Sequence, residues 1–370
     1  PLHFQMVSVV HHSMNALTSC ETGNATPPDF SLAFDYAGLT AHVAAALEAV
    51  NSTDAAALDA FFEKAGGWPA AQHKVDALAT FAQQALEANA KVALVTSGGT
   101  TAPLERRTVR YVDNFSTGNR GAAIAERLTQ GYRVVYLHRS TCAFPFTRKI
   151  EQKLREDPCG TLESLLFEES WHSNAGTGFN VFKDKSKFLA VPFDTIGEYL
   201  GLLRACCTAL EPLGGNVLVV LAAAVSDFYV PDLCEHKIQS RSGGGLSLEL
   251  APVPKCLGFV KRWGSPQFCV CGFKLETDEG LLRTKAEASL ANYGLDCVVA
   301  NMLATYRERA TVYTASEGVV VAGQDAMAKS EKSDFGAKVG NLVSAYVYCT
   351  ATQGATGMDS RLYLSAFAAY

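Results

Sequence analysis

The alternation of apolar and polar residues along the chain changes at Lys91. Before this residue, Ala- and Leu-rich stretches carry apolar side chains at helical spacing, at Ala41–Val50, Ala55–Lys64 and Val75–Ala88. After it, short runs rich in Val, Leu, Phe and Cys alternate with further helical stretches. The short runs are apolar on both faces, which is typical of strands that helices cover from both sides.

This alternation predicts an α/β fold, a doubly wound, mostly parallel sheet in a three-layer α/β/α Rossmann-like arrangement with an N-terminal helical extension. The predicted strands are Lys91–Thr96, Arg133–His138, Val217–Ala222, Phe268–Phe273 and Asp296–Ala300. The predicted helices after Lys91 are Ala122–Gln130, Thr195–Leu210, Thr277–Tyr293 and Phe335–Tyr346.

Domain boundaries follow from the same pattern. We divide the chain into an N-terminal tail and helical extension (1–90), an α/β domain (91–348) and a C-terminal tail (349–370). Residues 140–194 mix charged and aromatic residues and interrupt the alternation. We interpret them as an insertion on the α/β core, with dimerisation as one role that it could serve.

Two Gly-containing loops follow one another between Ser97 and Gly121. Residues 97–101 (SGGTT) directly follow a predicted strand, and residues 113–121 (DNFSTGNRG) run into a predicted helix. Glycine lets the backbone approach a bound group closely, and the free N–H groups at a helix start attract anions. The two loops together predict a pocket for a heavily phosphorylated ligand.

Each loop also has a simpler interpretation. SGGT after a strand is as often a tight turn as an anion site. Gly118 and Gly121 carry a weak signal by themselves, and Ser116, Thr117 and Arg120 at the same helix start favour anion binding. The chain has neither a GxGxxG dinucleotide fingerprint nor a GxxxxGK[ST] P-loop.

Small, polar or charged residues follow four of the predicted strands. SGG (97–99), AAVSDF (223–228), KLET (274–277) and Asn301 each come directly after one. Ligands of open α/β sheets bind beyond the carboxyl ends of the strands. The sequence therefore predicts a single binding site along that edge of the sheet.

Four residues near this edge allow two interpretations each. Asp227 can cap a turn or, facing phosphates, hold Mg²⁺. Lys237 can be a solvated surface lysine or can neutralise a phosphate. Phe273 can be a core residue or stack on a nucleobase, and Asn301 can close a turn or bond a base or sugar.

Composition and charge narrow the class of protein. The chain is 48% hydrophobic and 19% charged, as expected for a globular protein, and its net charge of −5 speaks against a nucleic-acid partner. No apolar run approaches the roughly 18 residues that a membrane span requires. The 11 cysteines form no C-x-x-C pair and no zinc-binding spacing. We therefore expect reduced, buried cysteines and a cytoplasmic protein.

A series of ordered motifs extends over roughly residues 91–346. They are VTSGGT (95–100), PLE (103–105), VR (109–110), DNFSTG (113–118), AAAVSDFYVP (222–231), EHKIQS (235–240), VPK (253–255), FKLETD (273–278) and VVAN (298–301). Together they resemble the phosphopantothenoylcysteine synthetase (phosphopantothenate–cysteine ligase) family, in its eukaryotic stand-alone form.

This resemblance implies a ligase of coenzyme A biosynthesis that joins 4′-phosphopantothenate to L-cysteine. The carboxylate attacks the α-phosphate of a nucleotide, giving an acyl-nucleotidylate and pyrophosphate, and the cysteine amine then displaces the nucleotide. Resemblance to the eukaryotic branch favours ATP over CTP. It also implies Mg²⁺, a homodimer, and a nucleotide-binding ligase domain over 91–348.

The resemblance also implies residue roles. Lys237 stabilises the α-phosphate, and Asn114 orients the intermediate for cysteine attack from across a dimer interface. Asn114, Arg120 and Ala224 contact the substrate, and Asp227 lies near the metal. The implied nucleotide contacts are Gly98, Ser116, Gly118, Gly121, Ala223, Ala224, Phe273 and Asn301.

Two alternatives stand beside this interpretation. A nicotinamide- or flavin-dependent oxidoreductase on the same architecture would need a dinucleotide fingerprint and an acidic ribose partner, and we find neither. A binding protein without catalytic activity is disfavoured because Asn114, Asp227 and Lys237 are all present.

Overall fold

Six of the apolar runs form parallel strands in one eight-stranded sheet. The computed structural model describes residues 55–63, 71–167, 181–239, 246–305, 310–314 and 318–322. The strands are β1 (Val92–Ser97), β2 (Thr101–Pro103), β3 (Tyr111–Asp113), β4 (Arg133–Arg139), β5 (Phe188–Phe193), β6 (Val217–Leu221), β7 (Phe228–Tyr229), β8 (Ala251–Pro252), β9 (Cys269–Glu276), β10 (Cys297–Met302), β11 (Ala310–Thr314) and β12 (Gly318–Ala322).

Helices connect and cover these strands. They are α1 (Gln72–Glu87), α2 (Asn119–Leu128), α3 (Arg148–Glu156), α4 (Pro158–Phe167), α5 (Ile196–Leu210), α6 (Val260–Trp263) and α7 (Glu279–Tyr293), and residues 55–63 and 181–183 are also helical. The start of α5 shows how sequence sets a boundary. Thr195 and Glu198 form a reciprocal capping box, in which each side chain accepts a bond from the other residue's backbone N–H.

The order of the strands places the expected binding site. Across the sheet the order is β12-β11-β10-β9-β6-β1-β4-β5; β11 and β12 are antiparallel and the other six strands are parallel. Numbered along the chain, the parallel strands run 3-2-1-4-5-6, the order of dinucleotide-binding Rossmann folds, with the reversal between β1 and β6. Their register is in phase from Val92↔Val217 to Thr96↔Leu221, so both strands end at one level.

Side chains of successive strand residues enter two separate cores. On one face, Leu94 and Val219 pack with residues 55–63, α1, α5, α6 and α7. On the other, Val95 and Val220 pack with α2 and an aromatic group that includes Phe144. The predicted three-layer, doubly wound α/β fold is therefore confirmed. The two described helices before Lys91, residues 55–63 and α1, belong to the first of these cores.

The structure also differs from the predicted elements. Phe188–Phe193, which we placed in the 140–194 interruption, is the outer parallel strand β5, paired in register with β4. The short strands β11 and β12 were not predicted. The predicted helices Ala41–Val50 and Phe335–Tyr346 lie outside the described residues.

The cysteines of the described ranges are free thiols. The nine cysteines in the described part of the chain form no disulfide, and Cys206 and Cys207 are buried in α5, as predicted. The expectation of burial is wrong for Cys159 and Cys234, which are exposed. Among the described helices, none has the length and apolar content that crossing a bilayer requires.

Candidate active site

The first Gly-containing loop and the segment after β6 are hydrogen-bonded beyond the ends of their strands. The Ala224 N–H donates to the Gly98 carbonyl at 2.8 Å, and the Thr100 N–H donates to the Ala224 carbonyl at 3.0 Å. The Ala223 N–H donates to Thr96 Oγ1 at 3.1 Å. These bonds fix the predicted residues Gly98, Ala223 and Ala224 at the point where the strand order reverses.

Asn114 is held by both of these segments. Its backbone N–H donates to the Thr100 carbonyl at 3.2 Å, and its Nδ2 donates to the Val225 carbonyl at 2.9 Å. The buried Ser226 hydroxyl lies 3.1 Å from Thr100 Oγ1 and 3.5 Å from Asn114 Oδ1. The Asn114 amide is therefore oriented by groups of its own chain.

Three glycines allow these segments to approach closely. A Cβ on Gly99 would overlap the Asn114 carbonyl oxygen, and a Cβ on Gly121 would overlap Ser97 Oγ. Gly118 has a φ of 74°, a left-handed conformation that favours glycine, and its carbonyl accepts a bond from Ser97 Oγ at 3.0 Å. Close packing and backbone conformation therefore explain why glycine occupies these three positions. The backbone N–H groups of the glycines remain candidates for anion contacts.

Helix α2 begins in the second loop. Gly118 is its N-cap residue, and no described side chain caps its N–H groups. Ser116 Oγ accepts a long bond of 3.4 Å from the Gly118 N–H. A helix start with uncapped N–H groups attracts anions. The phosphate contacts of Ser116 and Gly118 stay predictions.

Arg120 joins the second loop to the ends of β9 and β10. Its Nη1 donates to Asn301 Oδ1 at 2.8 Å, and its guanidinium carbon lies 5.8 Å from the centre of the Phe273 ring. Asn301 is buried, and Phe273 is half-buried. Three residues predicted separately from the sequence therefore meet in one cluster.

Asp227 is exposed and paired with Lys255. The Lys255 Nζ lies 2.6 Å from Asp227 Oδ1, and both side chains are more than half exposed. Within the described ranges, no three His, Cys, Asp or Glu residues are grouped so as to hold a metal ion. Asp227 would supply one carboxylate to a Mg²⁺ ion, an ion that in nucleotide sites is otherwise held by phosphates and water.

Lys237 lies in an exposed loop that a buried carboxylate holds. The Ile238 N–H, next along the chain, donates to Glu105 Oε1 at 3.4 Å. Burial raises the pKa of the Glu105 carboxyl, but N–H groups of Arg110, Val109 and Ile238 and the Arg110 charge outweigh it and leave the pKa lowered. The carboxylate is thus ionised at neutral pH.

Several residues of this site were not predicted from the sequence. Thr100 and Ser226 form the buried hydroxyl pair, Glu105 anchors the Lys237 loop, and Arg139 Nη1 binds Asp113 Oδ1 at 2.6 Å. One feature of the sequence could have indicated that Glu105 has a partner. It ends the PLE motif (103–105), and the basic residue of the VR motif (109–110) follows five positions later. The other contacts join segments far apart along the chain, and no local pattern marks them.

Comparison with known proteins identifies the family of this chain. The family described as DNA/pantothenate metabolism flavoprotein C-terminal domain matches residues 88–152 and 205–346. Phosphopantothenate–cysteine ligase from Mus musculus is 40% identical over 271 residues, which are 69% of this chain and 86% of that protein. The chain belongs to the phosphopantothenate–cysteine ligase family.

Two further relatives extend the comparison. Phosphopantothenate–cysteine ligase 2 from Oryza sativa subsp. japonica is 44% identical over 236 residues, which are 61% of this chain and 72% of that protein. The solved structure of a Cab2 H337A mutant in complex with phosphopantothenate-cysteine is 30% identical, with a TM-score of 0.65, and the match covers 77% of this chain and 96% of that one. The predicted ligase class of enzyme is confirmed, and the oxidoreductase alternative is not favoured.

Proposed function

We propose that the chain joins 4′-phosphopantothenate to L-cysteine through an acyl-nucleotidylate. The observation that carries this proposal is the clamping of Asn114 between the ends of β1 and β6, in a chain of the phosphopantothenate–cysteine ligase family. An amide with a fixed orientation at the reversal point can hold a reactive intermediate in one geometry. Holding two reactants in an aligned geometry is a large source of rate enhancement.

In the first step, a carboxylate oxygen of phosphopantothenate attacks the α-phosphorus of the nucleotide. The bond from that phosphorus to the bridging oxygen breaks, and pyrophosphate leaves with the electron pair. Lys237 and the N–H groups at the start of α2 neutralise charge that builds on the phosphates. The cluster of Arg120, Phe273 and Asn301 holds the base and sugar side of the nucleotide.

In the second step, the cysteine amine attacks the acyl carbon. The acyl–oxygen bond breaks, the nucleoside monophosphate leaves, and the amine nitrogen loses a proton to give the amide. Asn114 orients the acyl group, since Val225 and Ser226 hold its side-chain amide. No enzyme nucleophile is required, in keeping with a site built from backbone, amide and cationic groups.

The nucleotide and metal are further parts of this proposal. We favour ATP over CTP because the chain resembles the eukaryotic branch of the family. Mg²⁺ bound at Asp227 would neutralise phosphate charge. Lys255 contacts Oδ1 of the same carboxylate and would share it with the ion.

The proposal is tested by pyrophosphate release. Purified protein with ATP, Mg²⁺ and phosphopantothenate, and without cysteine, is expected to release a burst of pyrophosphate stoichiometric with its sites. The same assay with CTP decides the nucleotide. Absence of pyrophosphate with both nucleotides would remove the ligase proposal.

Substitution of Lys237 tests its role in activation. Lys237→Gln is expected to abolish the burst because the α-phosphate then loses a neutralising charge. Lys187→Gln is the matched control, since Lys187 is also exposed and, among the described residues, forms a surface ion pair with Asp184. Near-normal release by Lys237→Gln would make Lys237 an ordinary surface lysine.

We also propose a homodimer and a cytoplasmic location. The β2–β3 hairpin exposes Tyr111 (51%) and Val112 (41%), and Phe115, directly after Asn114, is 88% exposed. Together they form an apolar surface suited to a second copy of the chain. Free thiols suit a reducing compartment. Sedimentation velocity tests the dimer, and fractionation of the source cells tests the location. A monomer at micromolar concentration, or a signal in a membrane fraction, would contradict these two statements.

A further inference from the structure

A fully buried carboxylate lies between residues 109–110 and the loop that carries Lys237. The side chain of Glu105 is 0% exposed, although it carries a charge. Charged side chains are almost never completely buried unless other groups pair with them. Glu105 follows β2 directly, and β2 continues from the loop at the end of β1.

Four donors to this carboxylate come from two segments of the described chain. Oε2 accepts the N–H groups of Val109 and Arg110, at 3.2 and 3.0 Å. Oε1 accepts Arg110 Nη1 at 2.9 Å and the N–H of Ile238 at 3.4 Å. An ionised carboxylate can only accept hydrogen bonds, and all four of these contacts are donated to Glu105. The surroundings of Glu105 therefore suit its ionised form.

The main chain beside Lys237 is held on both sides. Ile238 donates its N–H to Glu105, and its carbonyl accepts a bond from Arg110 Nη1 at 3.1 Å. Three residues before Lys237, the Cys234 carbonyl accepts the Arg106 N–H at 2.9 Å. Only the exposed stretch from Glu235 to Lys237 lies between these anchors.

We propose that Glu105 is a positioning residue, which fixes the backbone beside Lys237 and so sets where its ammonium group lies relative to the phosphates. This inference depends on the proposed role of Lys237. A second carboxylate, Glu235, joins the same two segments, but through exposed ion pairs with Arg106 and Arg107 at 4.0 and 3.3 Å. The inference concerns only the buried carboxylate of Glu105. Exposed ion pairs of that kind contribute little to stability.

Glu105→Gln is the test substitution, and Glu235→Gln is its matched control. Glutamine has the same shape as glutamate, but one of its two ends is an NH₂ group that faces N–H donors and cannot accept from them. By hydrogen-exchange mass spectrometry, peptides covering 234–238 are expected to exchange faster in Glu105→Gln and at the wild-type rate in Glu235→Gln. Peptides covering β6 are expected to remain protected in both.

Kinetics separate positioning from a general structural role. Glu105→Gln is expected to lower single-turnover pyrophosphate release on the order of 100-fold, the effect expected when a reacting group is displaced by about 1 Å. The KM for ATP is expected to change less than about threefold. In a Lys237→Gln background, measured with excess enzyme over hours, the same substitution is expected to have no further effect.

Each outcome decides the proposal. Unchanged exchange at 234–238, or an equal loss of rate with and without Lys237, would overturn it. If Glu105→Gln does not fold, Arg110→Gln replaces it, since that variant removes the contact to the Ile238 carbonyl and leaves the backbone donors of Glu105 in place. A wild-type protein that releases no pyrophosphate removes the ligase proposal, and the exchange experiment still decides whether Glu105 fixes this loop.

Discussion

Arg120 donates a hydrogen bond to Asn301 across the carboxyl edge of the sheet, with 2.8 Å between Nη1 and Oδ1. The two residues lie 181 positions apart in the sequence, one at the start of α2 and the other at the end of β10. Their contact, with Phe273 beside it, closes the half of the site that lies beyond β9 and β10. It links the second Gly-containing loop to the proposed base and sugar contacts.

Removing the Asn301 amide is expected to weaken nucleotide binding. Asn301→Ala takes away an acceptor of Arg120. A hydrogen bond to a charged group is worth about 1.5–3 kcal/mol, so the KM for ATP should rise at least about tenfold. Steady-state kinetics with varied ATP measure this. Asn216→Ala is the control, because Asn216 directly precedes the first residue of β6 and so lies at the edge of the sheet opposite the site. An unchanged KM for ATP would show that Asn301 does not serve the nucleotide.

Asn114→Asp is expected to separate the two chemical steps. The substitution replaces the Nδ2 amide group by a carboxylate oxygen, which cannot donate to the Val225 carbonyl. The carboxylate also adds negative charge beside an anionic intermediate. Pyrophosphate release should stay within about threefold of wild type, and amide formation should fall on the order of 100-fold. Rapid-quench measurement of both products in one reaction gives the two rates.

The control for this prediction lies away from the proposed phosphate contacts. Asn216→Asp alters an amide that lies just before β6, at the end of that strand remote from the site, and donates to Asn89 Oδ1, so it should leave both rates near wild type. An equal loss of both steps in Asn114→Asp would assign Asn114 a role before or during activation.

Gly99→Ala is expected to destabilise the protein. The added Cβ would overlap the Asn114 carbonyl oxygen, so the two loops must separate, at a cost of about 3 kcal/mol, as for overpacked cores. Gly131→Ala is the control, because no atom lies within 4 Å of a Cβ at that position. The urea concentration at the midpoint of unfolding is compared between the two variants. Equal midpoints would mean that the loops can separate without loss of stability.

His138 is expected to make stability depend on pH. Burial lowers its pKa from 6.5, so below about pH 6.5 the unfolded chain binds more protons than the folded one and stability falls. His138→Phe keeps an aromatic ring between Tyr136 and Phe144 and removes the titrating group. Urea midpoints at pH 7.5 and 5.5 should differ less in this variant than in wild type. An equal difference would assign the acid sensitivity to other groups.

Local patterns predicted most of the sheet and part of the site. Runs such as Val217–Leu221 are apolar on both faces, and helices do cover them from both sides. β5 was missed because its exposed Ala190 and Pro192 and its place among charged residues hid its apolar side chains. Gly98 and Gly118 could be selected because one follows a strand and the other begins a helix. Asn301 could be selected because it lies at the carboxyl end of a strand, although β10 extends one residue beyond it.

By itself, the sequence determined the parallel α/β architecture, the positions of the Gly-containing loops and the family, since each depends on residues that are neighbours along the chain. The tertiary structure alone decided which of these segments touch. Glu105 meets Ile238 across 133 positions, and Ser226 meets Thr100 across 126. Such contacts depend on strand order and register, which bring polar groups from distant segments together and bury them where each must find a partner.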